Sequence, residues 1–256
     1  MYEDFSTKYD LLMDNVPYDK WEKRILKEFK KYDIKPSLCL DLGCGTGEMT
    51  LRLAKAGYDM IGVDSSFEML EEATKKSEKE EEEDILFLCQ DMREFELYGT
   101  VQSVISVCDS INYITNKDDL LKVFKLVNNY LEPGGLFIFD FNTPKKYKMI
   151  GCNTIAENRE DLSFIWENWY DSETNINEID LTLFIKREDE TYERCEETHI
   201  QRGYEKEVIE YILKLAGLEV LSFTDISKDE GETRQKRYLA VSRLPKDTKK
   251  KIFEEN

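Results

Sequence analysis

Histidine is nearly absent from this 256-residue chain, where His199 stands alone. The six cysteines, Cys39, Cys44, Cys89, Cys108, Cys152 and Cys195, include no pair at C-x-x-C spacing. Together these absences exclude the common zinc-ligand patterns, so no metal site is expected. The cysteines, four of them in or beside apolar segments, are expected to be reduced and packed as small hydrophobes. No apolar run approaches the ~20 residues that a membrane-spanning helix needs. The acidic opening Met1-Tyr2-Glu3-Asp4 has no apolar stretch behind it. Neither a signal peptide nor a membrane partner is expected, and a cytoplasmic location follows. Basic residues are outnumbered, with 36 Lys and Arg against 54 Asp and Glu, a net charge of −18. Such a balance repels nucleic acid at long range. The basic stretches are thin, namely Lys145, Lys146 and Lys148, then Lys249, Lys250 and Lys251 in the tail. A nucleic-acid partner is therefore not expected.

What is present is an alternation of short apolar runs and helical patterns. Trp21, Ile25, Leu26 and Phe29 share one face of a helix over 19–32, with Asp19 placed to cap it. Leu38–Leu42 reads as a buried strand, Met49–Ala56 as a helix stopped by Gly57, and Tyr58–Val63 as the second strand. Ser65 is placed to cap the next helix, whose inward face carries Phe67, Met69, Leu70 and Ala73. Strands follow at Ile85–Cys89, Val101–Val107 and Leu136–Phe141, with a helix around Leu120, Leu121, Phe124, Val127 and Leu131 that Pro133-Gly134-Gly135 terminates. A chain that alternates in this way forms a mostly parallel sheet with helices on both faces, an α/β doubly wound fold. From about 150 to 204 the period changes to two: Ile179, Leu181, Leu183 and Ile185 alternate with polar neighbours, which describes an antiparallel meander with one covered face. A helix through Val208, Ile209, Ile212 and Leu213, then strands at Glu219–Ile226 and Arg237–Arg243, return the chain to the main sheet. The expected division is an N-terminal helical arm at 1–36, a cofactor-binding domain at 37–145 and 205–243, an antiparallel β insertion at 146–204 and a tail at 244–256.

The segment from Cys39 to Gly47, CLDLGCGTG, ends a strand and opens a helix. Glycines at 43, 45 and 47 allow a sharp turn and a close approach by a ligand. On its own G-x-G-x-G is compatible with many nucleotide cofactors. Asp41 places a carboxylate beneath the loop, able to accept from loop amides or, through water, from a cationic ligand, and a pyrophosphate would gain nothing from it. Asp64 ends the second strand, where a carboxylate bonds ribose hydroxyls in doubly wound folds.

The ordered set DLGCGTG, VDSS at 63–66, QDMREF at 90–95, CDSINY at 108–113 and LEPGG at 131–135 resembles that of class I S-adenosylmethionine-dependent methyltransferases. The resemblance implies a Rossmann-like, mostly parallel seven-stranded sheet with an antiparallel β insertion after the fifth strand. It also implies S-adenosyl-L-methionine as cofactor and S-adenosyl-L-homocysteine as product. The cofactor site it implies comprises Asp41, Gly43, Cys44, Gly45, Gly47, Asp64, Ser65, Met69, Asp91, Met92, Cys108 and Asp109. In that family the residue matching Asp91 bonds the adenine amino group and Met92 packs near the ring. The opening segment, Phe5-x-x-x-Tyr9-Asp10 and then Val16-Pro17-Tyr18-x-x-Trp21, resembles small bacterial enzymes, including those that dimethylate sugar amines. This adds Tyr18 and Trp21 to the implied cofactor site; simple packing is the other reading of these aromatics.

Methyl transfer from a sulfonium is an in-line displacement that needs alignment and exclusion of water. Asp109 and Tyr113 are the first catalytic candidates, with Tyr9 next; His199 is a candidate general base if the insertion roofs the pocket. Phe164, Trp166, Trp169 and Tyr170 of the insertion fit an acceptor pocket, a homodimer interface or ordinary packing. A small molecule methylated on nitrogen or oxygen is the expected acceptor. Protein or RNA acceptors and a non-catalytic cofactor-binding module are the alternatives, and an NAD-dependent dehydrogenase stands further off because G-x-G-x-x-G spacing is lacking.

Overall fold

The computed structural model describes residues 16–82, 84–187, 189–227 and 236–248. Tyr9, with Phe5 and Asp10 of the opening segment, lies outside them, as do Lys249, Lys250 and Lys251. In chain order the elements are α1 (Tyr18–Lys31), β1 (Leu38–Leu42), α2 (Glu48–Lys55), β2 (Asp59–Asp64), α3 (Phe67–Lys79), β3 (Leu86–Cys89) and β4 (Val101–Ser106). A single 3-10 turn (Ser110–Tyr113) precedes α4 (Lys117–Tyr130), β5 (Leu131–Asn142) and α5 (Pro144–Ile150). Four strands follow, β6 (Asn153–Asn158), β7 (Leu162–Asp171), β8 (Ile176–Lys186) and β9 (Tyr192–Arg202). The chain then forms α6 (Lys206–Leu215), β10 (Glu219–Asp225) and β11 (Arg237–Arg243).

The seven-stranded sheet has the order β10-β11-β5-β4-β1-β2-β3. β1 through β5 run parallel, whereas β11 is antiparallel to both β5 and β10. The order reverses at β1, which lies between β2 and β4, and such a switch point opens a crevice at the strands' carboxyl ends. This is the Rossmann-like sheet that the motif order implies.

Strand parity sorts side chains to the two faces of the sheet. On β5, Phe137, Phe139 and Phe141 join one apolar cluster with Phe124 of α4 and Ile209 and Leu213 of α6. Leu136 and Ile138 face the other way, into a cluster with Trp21, Ile25 and Phe29 of α1 and Met49 and Leu53 of α2. Each large apolar side chain buried in this way contributes roughly 1.5–3 kcal/mol.

Four local expectations need correction, one being Phe67, which was expected on the inward face of α3 and is exposed at its first turn. Pro133-Gly134-Gly135 does not end α4; the helix stops at Tyr130 and the chain enters β5 directly at Leu131. The triplet forms an irregularity in the β4–β5 register, with Gly134 at φ +86°, because Pro and Gly suit a bulge. Ser66, rather than Ser65, caps α3, accepting from the Met69 amide at 3.2 Å. Asp19 sits inside the first turn of α1, ion-paired to Arg52 at 2.6 Å, and the capping position is Pro17. The short helix α5 was also not anticipated, since Pro144 at its first turn fits a helix start as well as a break.

The meander forms a separate antiparallel sheet, β6-β7-β8-β9. Its inner face carries Leu162, Phe164, Leu181, Leu183 and Ile185, packed with Met69 of α3. Three cross-strand rungs on this face run Trp166–Leu181–Glu197, Asn168–Ile179–His199 and Tyr170–Asn177–Gln201. The small sheet is thus a roof over the crevice.

Candidate active site

The crevice is a cavity of about 710 Å³, floored by residues 43–46 of the glycine loop and roofed by Trp166, Asn168, Asn177, Ile179, Leu181, Glu197, His199 and Gln201. Each loop glycine has its own reason. A Cβ at Gly43 would come 2.8 Å from Ser110 Cβ, and one at Gly47 would come 2.9 Å from Ala73 Cβ. Gly45, at φ +54°, has nothing within 4 Å of the position its Cβ would take, so its surface is open to the cavity it lines.

Asp41 and Asp64 divide the work expected beneath the loop. The Gly45 amide donates to Asp64 Oδ2 at 2.8 Å and the Ser66 amide to Asp64 Oδ1 at 2.9 Å. Asp41 accepts instead from the Thr50 hydroxyl of α2 at 2.6 Å, and burial pushes its carboxyl up to about 7. Asp64 is also raised by burial, against the bonds from Ser66 and Gly45, which favour its charge.

The segment after β4 is strained. Cys108 and Asp109 take φ of +60° and +55°, a region non-glycine residues enter at a cost of order 1–3 kcal/mol each. A buried polar network holds them there. The Asp109 amide donates to Asp140, and Arg237 bonds Asp140 through Nε at 2.6 Å and Asp109 through an Nη at 3.3 Å. Asp109 Oδ2 accepts from Gln201 Nε2 of the roof at 2.7 Å. Gln201 Oε1 accepts in turn from the Tyr147 hydroxyl at 3.0 Å. Asn112 Nδ2 donates to the carbonyls of Asn142 and Arg202, tying turn, sheet and roof together. Burial raises the Cys44 and Cys108 thiols well above their usual range, so both remain protonated.

Tyr18, Asp41, Gly43, Cys44, Gly45, Asp64, Ser65, Met69, Met92, Cys108, Asp109, Tyr113 and His199 all line this one cavity. Three anticipated residues are elsewhere. Trp21 is fully buried in the α1 core, with the Arg237 guanidinium 5.0 Å from its ring centre, so it supports the network from behind and does not face the cavity. Gly47 is buried against α3 and β3, and Asp91 is engaged by Arg93 outside the lining. Gln201, Tyr147, Asn142, Asn168, Asn177 and the Asp140–Arg237 pair were not anticipated. Their signal was visible: Asn177 and Gln201 occupy inward positions of period-two strands, and Asp140 interrupts an apolar run.

The residues present fit an S-adenosyl group. Gly45 leaves room for close approach, Asp64 offers a carboxylate at the end of β2, and the lining is rich in acid and poor in bases. The family profile described as a methyltransferase domain matches residues 39–135. YqeM of Bacillus subtilis, provisionally named a methyltransferase, is 36% identical over 240 residues, 93% of this chain and 94% of that protein. The crystal structure of an S-adenosylmethionine-dependent methyltransferase from Clostridium acetobutylicum superposes with a TM-score of 0.85 at 32% identity, covering 95% of this chain and 99% of that one. An amino pentose methyltransferase from Micromonospora echinaspora, solved with S-adenosylmethionine bound, shares the fold with a TM-score of 0.73 at 14% identity, over 92% of this chain and 96% of that one. Glycine loop, switch-point cavity and relatives agree: the chain belongs to the class I S-adenosylmethionine-dependent methyltransferases.

Proposed function

We propose that this enzyme methylates nitrogen or oxygen of a small molecule by in-line displacement. The observation that carries the reading is the roof. The inner face of β7–β9 closes the cavity above the glycine loop, and a chamber of about 710 Å³ lies within the usual ~300–1,000 Å³ of small-ligand sites. Trp166, Ile179 and Leu181 give the chamber an apolar wall, while Asn168, Asn177 and Gln201 give it amides. The net charge of −18 disfavours RNA as acceptor. The Micromonospora neighbour, an amino pentose methyltransferase, has the same fold and a small-molecule acceptor class.

When bound, the cofactor supplies a methyl group on sulfonium, which departs readily as a thioether. Asp64 would hold the ribose, Gly43–Gly45 the face above the loop, and Cys108–Asp109 the methionyl end. Asp109 is already engaged by Arg237 and Gln201, so its role is to position the strained segment rather than to move a proton. The roof aligns the acceptor and excludes water.

The expected outcome with radiolabelled cofactor is transfer to a metabolite fraction below about 1 kDa, and not to RNA or protein. Labelling confined to RNA or protein would overturn the proposal. Asp64→Ala should abolish S-adenosylhomocysteine binding in calorimetry; intact affinity would remove Asp64 from the site. We further propose a homodimer through the roof's outer face, where Trp169, Ile165 and Ile200 are exposed. A monomer in sedimentation at micromolar concentration would overturn it.

A further inference from the structure

Tyr113 and His199 meet inside the cavity from different layers of the protein. Tyr113 ends the 3-10 turn after β4, and His199 sits on the central rung of the roof. The Tyr113 hydroxyl lies 3.2 Å from His199 Nδ1, with the rings edge to face and their centres 5.9 Å apart. Both residues line the cavity, and Tyr113 keeps 46% of its surface open. Asp64 at the loop end, Asp109 and, from the roof, Glu197 line the same cavity.

Both groups are held neutral. The half-open phenol is neutral even at its ordinary value of about 10, and burial lowers the imidazole below 6.5, with Asp109 pulling it weakly the other way. The charged or titratable groups lining the same cavity include Asp64, Asp109, Glu68, Glu197, Lys146 and Tyr147. A neutral imidazole has one acceptor nitrogen, and a protonated phenol has one proton to give.

We infer that Tyr113 and His199 form a proton relay, in which the attacking atom of the acceptor passes its proton to Tyr113 Oη as the Tyr113 proton moves to His199 Nδ1. The inference rests on the small-molecule reading above and narrows it. The acceptor's lone pair forms the bond to the methyl carbon as the carbon–sulfur bond breaks, and that electron pair stays on sulfur. The positive charge lost by the sulfonium ends on the imidazolium, and no other reactant is required. The acceptors served in this way carry both a free lone pair and a proton on the attacking atom, as a hydroxyl or a neutral amine does. Tyr113 is the catalytic residue, and His199 is a positioning residue that draws the proton through it.

The lone histidine makes the test direct, since protein labelled with ¹⁵N-histidine gives one imidazole to read. With S-adenosylhomocysteine present, the neutral ring is expected to carry its proton on Nε2, to titrate below about 6.5, and to shift its Nδ1 resonance in Tyr113→Phe. Methyl transfer to the metabolite fraction should slow by about 10²–10⁴-fold in His199→Asn, with loss of the acid limb of the pH profile and unchanged S-adenosylhomocysteine affinity. Tyr113→Phe should slow transfer comparably. A neutral ring protonated on Nδ1, or a His199→Asn enzyme that keeps both rate and acid limb, would overturn the relay. Where no metabolite is labelled, the tautomer and its response to Tyr113→Phe decide. Failure to bind S-adenosylhomocysteine, or labelling of macromolecules only, would strike the parent reading and leave the imidazole result standing.

Discussion

Arg237 and Asp140 offer the sharpest energetic test of how the site is held. Asp140 is fully buried, and the Arg237 guanidinium lies 2.6 Å from it at Nε, backed by the Trp21 ring. In Arg237→Gln the carboxylate loses its countercharge and escapes by binding a proton. Holding at pH 7 a proton that an unfolded Asp releases near ~3.9 costs roughly 4 kcal/mol, at about 1.4 kcal/mol per pH unit. That cap agrees with the ~3–5 kcal/mol found when one partner is removed from a buried pair. For a chain of this size the melting temperature should fall by roughly 10 °C. Burial already holds the Asp140 pKa above its unfolded value against the pull of Arg237, and losing Arg237 raises it further, so the penalty shrinks as pH falls, to at most about 1.5 kcal/mol at pH 5. Adding Asp140→Asn removes the buried charge, and the double variant should recover most of the loss. The assay is thermal and urea unfolding of wild type, both single variants and the double variant at pH 5 and 7. A single-variant loss below about 1 kcal/mol, or a double variant no better than Arg237→Gln, would refute the account, since buried pairs couple by more than that.

The loop glycines separate stability from binding. Gly43→Ala should destabilise by about 2–4 kcal/mol, because its methyl meets Ser110 Cβ at 2.8 Å with φ at +80°. Gly45→Ala meets nothing and should cost only about 1–2 kcal/mol of stability. Its methyl would take up cavity space, so S-adenosylhomocysteine affinity in calorimetry should drop more than about tenfold, and near-wild-type binding would contradict the cradle. Asp41 predicts a pH dependence. Its carboxyl is pushed up to about 7 by burial, so the folded chain holds a proton that the unfolded chain releases. Its contribution is full below about pH 4 and is lost as pH rises through 7, a swing of roughly 4 kcal/mol. Asp41→Asn should gain on wild type across that window in denaturation measured at pH 5, 6, 7 and 8. Parallel curves would exclude a buried, raised Asp41.

The sheet and its switch point were legible because their determinants are local. Apolar runs of strand length alternate with helical spacing, and the glycines that need positive φ lie next to Asp41 and ahead of Asp64. The period-two run also placed His199 on the same strand face as Glu197, as the roof requires. What the sequence could not decide was which distant groups share a pocket. Trp21 entered the implied cofactor site only through the resemblance of the opening segment, while helical spacing set it on the apolar face with Ile25 and Phe29. Packing turned it onto Arg237. Asp140, Arg237 and Gln201 are separated by up to 97 residues, and no spacing rule links an acid in one strand to a guanidinium in another. Only β5, β11 and β9, laid side by side and above one another, bring them to Asp109 and fix its backbone in a strained form. The same stacking sets the Tyr113 hydroxyl against the single imidazole. Local chemistry along the chain determined the cofactor; the meeting of two sheets decided what stands over it.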